Sequence, residues 1–176
     1  MGPDVQYSLV AVFTLTYITS VLGLSRTLAV TALTIGAACN AVLILVAGIL
    51  SDRYGRRAVY GAGVAGALAW VWLLFPMLDS KVEWIIVAAL VSGLAIHAFM
   101  YGPQAAFIAE QFPTPVRYAG ASLAYTFAGV FAGGIAPLAF TALYRAWRTP
   151  MVIALYTSAA LLITALVLRF ARIRRE

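Results

Sequence analysis

Six apolar runs follow one another through this chain with only short polar breaks between them, at residues 7–24, 28–50, 58–78, 84–108, 118–143 and 150–168. Each is long enough, at about 1.5 Å per residue, to cross roughly 30 Å of hydrocarbon as a helix. Inside lipid every backbone amide and carbonyl must find its partner within the segment, so spans of this kind are helices. A soluble fold does not fit. The chain is 64% hydrophobic and 10% charged, against about half apolar and about a quarter charged for a soluble domain. The expectation is an all-α membrane protein, with residues 1–176 forming a single domain of six transmembrane helices in a lipid bilayer.

The net charge of +6 does not point to nucleic acid, because the basic residues fall between and after the apolar runs, where they meet an anionic membrane surface. Arg53, Arg56, Arg57, Arg117, Arg169, Arg172, Arg174 and Arg175 share one side; Arg26, Lys81, Arg145 and Arg148 share the other. That asymmetry places both termini on the cytoplasmic side of a plasma membrane, with Trp84 and Trp147 at the outer interface. The single cysteine, Cys39, lies within an apolar run, and there is no Cys/His cluster. No metal and no cofactor is therefore expected. The opening MGPDVQ lacks the basic region of a signal peptide, and Gln6 breaks the myristoylation pattern that Gly2 would begin. GAGVAG at 61–66 has no preceding strand, so its small residues read as helix packing rather than a nucleotide loop. Ser122 lies about 6 Å from a helix end and His97 roughly 20 Å from one, so the two do not form a protease pair, and the chain is not read as an enzyme.

Charge concentrates in GILSDRYGRR, residues 48–57, between the second and third runs. Gly48 permits close helix approach, and Gly55 permits a turn with positive φ. Asp52 stands where the second helix ends. Arg53, Arg56 and Arg57 can pair with carboxylates at the same depth. Glu110 and Arg117 flank the next loop on that side, which suggests a network in which Glu110 pairs with Arg56 or Arg57. The pattern resembles the signature loop of the major facilitator superfamily. A second stretch, YGPQAAFIAEQFPTPVRYAGASLAY at 101–125, continued by GGIAP at 133–137, is similar to the metabolite:proton symporter branch of that family, which includes shikimate, α-ketoglutarate, citrate and proline or betaine carriers.

The resemblance implies a fold and a function. The six segments correspond to helices seven to twelve of a twelve-helix bundle built from 3+3 inverted repeats. The loop would be a gating latch, with Asp52 capping a helix of the opposite half. The activity would be secondary active transport of a small polar metabolite, an organic acid or a betaine-like solute, by proton symport and alternating access. The implied partner is the missing N-terminal six-helix half, or a second copy as a parallel homodimer. The alternative is a truncated, non-transporting bundle that serves as an assembly or regulatory partner, or an inactive fragment.

His97 is the one ionisable side chain deep inside a predicted span. With an ordinary pKa of about 6.5 it is a candidate proton carrier; the competing reading is a neutral histidine bonded to a neighbouring helix. Tyr101 and Gln104 follow on the same helical face. Pro103 after Gly102 predicts a kink there, as in broken-helix substrate sites, or a structural kink in a packing stripe. Asn40, Tyr17 and Tyr125, the last sharing a face with Ser122, line a cavity or bond between helices. Gly129 and Gly133 form a GxxxG pair, with Pro137 following, and are expected at a close helix contact. No Arg or Lys lies mid-span, so an anionic solute would need its countercharge from the other half.

Overall fold

The computed structural model describes residues 1–171. Among these the chain is six helices and no strand: α1 (residues 2–21), α2 (Arg26–Tyr54), α3 (Arg56–Asp79), α4 (Glu83–Ala109), α5 (residues 117–147) and α6 (Met151–Phe170). The last five are long and apolar enough to cross a membrane. α1 is helical throughout but contains two widened π-helical turns, Leu9–Phe13 and Tyr17–Val21. It begins at Gly2, five residues before the expected span, because Pro3 suits a first helical turn, where its missing N–H costs nothing. α5 runs on to Trp147, taking in Arg145. Arg172, Arg174 and Arg175 lie outside the described residues.

Each boundary has a local cause. The Ser25 hydroxyl accepts from the Leu28 amide, 3.2 Å, and starts α2. Gly55, at φ 94°, ends α2 and starts α3 in one residue. Pro113 precedes and Pro115 lies within the short turn Thr114–Val116 that reverses the chain into α5.

α4 is the central helix and packs along both α2 and α3. Glycines allow those approaches. A Cβ at Gly93 would meet the Trp70 ring at 2.3 Å, and one at Gly63 would meet the Met100 amide at 2.9 Å. The Gly63 contact is the packing role expected of GAGVAG. At the end holding Asp79, the rings of Phe13, Tyr17, Phe75, Phe140 and Tyr144 interlock edge to face. The outer faces are apolar and exposed: Leu45 and Ile49 on α2, Leu123 and Phe127 on α5, Leu162 and Leu166 on α6. Such a surface requires lipid, and this is an all-α membrane protein.

Candidate functional site

Four helices line an open polar cavity of about 430 Å³. α1 contributes Asp4, Tyr7 and Ser8; α2 contributes Asn40 and Ile44; α4 contributes His97 and Tyr101; α5 contributes Gly129 and Gly133. A second cavity, about 320 Å³, between α1, α5 and α6 is lined almost wholly by apolar side chains such as Val5, Phe131 and Ile163 and offers no comparable chemistry.

His97 and Asn40 form the buried centre of the polar cavity. Asn40 Nδ2 donates to the Leu94 carbonyl at 2.6 Å, which fixes the amide, since a carbonyl only accepts. The same nitrogen lies 3.2 Å from His97 Nδ1. Nδ1 must therefore accept, and the imidazole proton resides on Nε2. The neutral ring bonded to a neighbouring helix is thus also part of the cavity lining. Tyr7 and Tyr101 flank the imidazole, each with its ring centroid 5.2 Å away, Tyr101 stacked and Tyr7 tilted.

Asp4 was not foreseen as part of this site. Reading the first span from Tyr7 left it outside the membrane, whereas the earlier helix start turns Asp4, Tyr7 and Ser8 onto one face, three and four residues apart. A proline followed by an acid at the head of an apolar run is a helix-start signal that could have revealed it.

Other predicted residues lie elsewhere. Tyr17 is outside the cavity: its hydroxyl donates to Asp79 Oδ1 at 2.7 Å within the aromatic cluster at the far end. Gln104 is buried but does not line the cavity, and its Oε1 has no hydrogen-bond partner among the described residues. Tyr125 is half-buried on α5, within electrostatic reach of Asp4 and Tyr101 but not in the lining.

The glycine readings need correction. Gly129 and Gly133 are not at a close helix contact, since a Cβ on either meets nothing within 4 Å; they face the cavity instead. Gly48 likewise has open space where its Cβ would be, and the close approach belongs to Gly102. α4 continues as helix through Pro103, pressed against α2. The irregular backbone is in α1 and in the π-helical stretch Gly129–Ile135 of α5. In that widened register the Ala132 carbonyl looks to the amide of residue 137, and Pro137 has none. The Ser8 hydroxyl donates to that carbonyl at 2.9 Å, tying α1 to α5 beside the cavity.

At the opposite end from the aromatic cluster, Arg56 is paired with Glu110, and its other guanidinium nitrogen lies 3.5 Å from Asp52 Oδ1. Arg57 donates to the Arg169 carbonyl at the end of α6, where a cation also meets the helix dipole favourably. Arg117 Nε donates to the Phe112 carbonyl at 3.4 Å, and Arg53 is exposed. Both partners of the Arg56–Glu110 pair are about a third exposed, so it contributes about 0–1 kcal/mol. Glu110→Arg and Arg56→Glu should each lower thermal stability in detergent, and the double exchange should recover part of the loss, with a coupling of about 0.5–1 kcal/mol. Recovery is partial because the carboxylate introduced by Arg56→Glu would face Asp52. Strictly additive losses would show that the two side chains do not interact.

The sequence profile of the Major Facilitator Superfamily matches residues 5–176. The chain is 36% identical over 99 residues to the inner membrane metabolite transport protein YhjE of Escherichia coli K12, covering 54% of this chain and 22% of that protein. It is 34% identical over 138 residues to the citrate-proton symporter of Klebsiella pneumoniae, covering 78% and 31%. It is 29% identical over 163 residues to the shikimate transporter of E. coli K12, covering 90% and 36%. In each case the match spans about a third or less of the relative's length. No solved structure matches it. The helical bundle, the charged turn and these matches agree: the chain belongs to the Major Facilitator Superfamily, in keeping with that family's metabolite:proton symporter branch.

Proposed function

We propose that this chain forms half of a secondary active transporter that moves a small polar metabolite together with a proton. The observation that carries the reading is the polar cavity among otherwise apolar helices, with His97 and Asn40 bonded at its centre. Ionisable groups inside a membrane bundle are costly and mark solute or ion pathways. Protonation of His97 can occur only at Nδ1, the atom that accepts from Asn40, so proton binding and the Asn40–His97 bond exclude one another, while the Asn40–Leu94 bond between α2 and α4 can remain. This gives proton binding a direct mechanical consequence between two cavity-lining helices. No cofactor enters the scheme; the proton is the coupling ion.

The remaining half of the cavity would come from an N-terminal six-helix bundle or from a second copy in parallel orientation, rocking against this one. Asp52, with the Arg56–Glu110 pair, would latch the cytoplasmic face, and both termini would lie on that side of the plasma membrane. The test is uptake of citrate, shikimate and betaine into proteoliposomes carrying an imposed pH gradient, with the protein present alone and with a co-expressed six-helix partner. Gradient-dependent accumulation of any of them supports the proposal, and its absence under both conditions refutes it. Impermeant labelling of cysteines placed at Arg53 and Lys81 checks the sidedness.

A further inference from the structure

We infer that the groove between α3 and α6, at the end of the bundle that holds the charged turn, binds an anionic phospholipid, with its phosphate against Arg57 and Arg169 and an acyl chain along the groove.

The groove has a volume of about 260 Å³, and its lining has two parts. Arg57 and Arg169 form the head. Below them every lining residue is apolar or glycine, including Gly61, Ala65 and Leu68 of α3 and Ala165 of α6. Positions 57, 61, 65 and 68 recur at helical spacing, so on α3 they form one stripe about 16 Å long, running from the charged end into the span. A cationic head above an apolar groove matches both parts of a phospholipid, whereas free phosphate would use only the first. Basic pockets between membrane helices bind lipid headgroups in this way.

The two arginines keep their charge available. Arg56, the next residue, is paired with Glu110 and lies beside Asp52, but neither Arg57 nor Arg169 meets a carboxylate among the described residues. The bond from Arg57 to the Arg169 carbonyl holds the guanidinium across from α3 to α6. It uses one of five N–H donors and neutralises nothing, so the fork can still grip a phosphate. α3 also starts on Gly55, which has no side chain to cap it, and the positive end of that helix dipole lies at the same level. Gly61 keeps the groove wide. A Cβ there would meet nothing within 4 Å, so this glycine serves no close helix contact. The polar cavity is lined by α1, α2, α4 and α5 and by neither α3 nor α6. A bundle that completes that cavity therefore leaves this groove to the bilayer, and the inference does not depend on what the cavity carries.

The test is native mass spectrometry of the purified chain, mixed in detergent with phosphatidylglycerol and phosphatidylcholine of identical acyl chains. Phosphatidylglycerol is expected to be retained in preference. Arg57→Gln and Arg169→Gln should each lower its retention about fivefold. Gly61→Leu should lower it comparably by filling the groove, without lowering the melting temperature in lipid-free detergent. Arg53→Gln removes the same charge from an exposed position outside the groove and should leave retention unchanged. Equal retention of the two lipids overturns the inference. So does an equal loss in Arg53→Gln, which would mark a general attraction to basic surface, or undiminished retention by Gly61→Leu. Inorganic phosphate that displaces the lipid and stabilises the chain as well as phosphatidylglycerol does would also overturn it, in favour of a free-anion site.

Discussion

Replacing His97 with glutamine is expected to abolish solute accumulation driven by a pH gradient while leaving solute exchange at equal pH on both sides. With one proton per solute, each pH unit of gradient can sustain about tenfold accumulation, roughly 1.4 kcal/mol; in the variant the ratio should fall to about one. Glutamine is the informative replacement. Its side-chain carbonyl can still accept from Asn40 Nδ2, so the bond between α2 and α4 can survive, but it cannot take up a proton. A structural role for His97 alone would therefore be largely rescued by glutamine and lost with leucine. Full gradient-driven accumulation by His97→Gln would remove His97 from the proton path and turn attention to Asp4, the carboxylate in the same lining.

Much of this architecture was legible because lipid makes simple demands. A run of apolar residues long enough to span must be a helix, so the spans followed from hydropathy, and the charged turn at Asp52–Arg57 followed from what cannot enter lipid. Rotation about each helix axis was much harder to read. In a soluble helix the polar face announces which side is buried; here the outer face of α2 carries Leu45 and Ile49 and its inner side Ala32 and Ala47, all apolar. Small residues mark where helices can approach, but not which of several glycines does so. The packing expected of GAGVAG is found at Gly63, but the contacts expected at Gly48, Gly129 and Gly133 are absent, and close approaches lie at Gly102 and Gly93. The π-helical turns of α1 and α5 were also invisible, since nothing local but Pro137 and the glycines distinguishes them from ordinary helix. Asp4 was missed for a different reason. A carboxylate near the end of an apolar run looks like loop unless the helix start is placed first, and Pro3 was the residue that placed it.

Gly102→Ala is expected to destabilise the bundle and to disable the site at once, whereas the same change at Gly48 does neither. At Gly102 the new Cβ would lie 2.8 Å from the Ile44 carbonyl oxygen, 2.9 Å from the Ala47 Cβ and 3.0 Å from the Gly48 amide nitrogen. Two of those three are backbone atoms, which cannot swing aside as the end of a flexible side chain can, so α2 and α4 must separate. Overpacking of this kind typically costs about 1–3 kcal/mol, and it outweighs the gain of about 1 kcal/mol that alanine brings to a helix interior over glycine. At Gly48 nothing lies within 4 Å of the added carbon, so only the propensity gain remains there. Separation of α2 from α4 also acts on the cavity, because Asn40 reaches His97 and Leu94 across that same interface at 3.2 and 2.6 Å. Gly102 is five residues from His97, about 7.5 Å along the helix, close enough that a shift of a few tenths of an ångström at one point is felt at the other. Melting in detergent and gradient-driven accumulation should therefore fall together in Gly102→Ala. Equal melting of the Gly102→Ala and Gly48→Ala proteins would show that α2 and α4 do not meet at this glycine, and the spacing of the Asn40–His97 pair would need another origin.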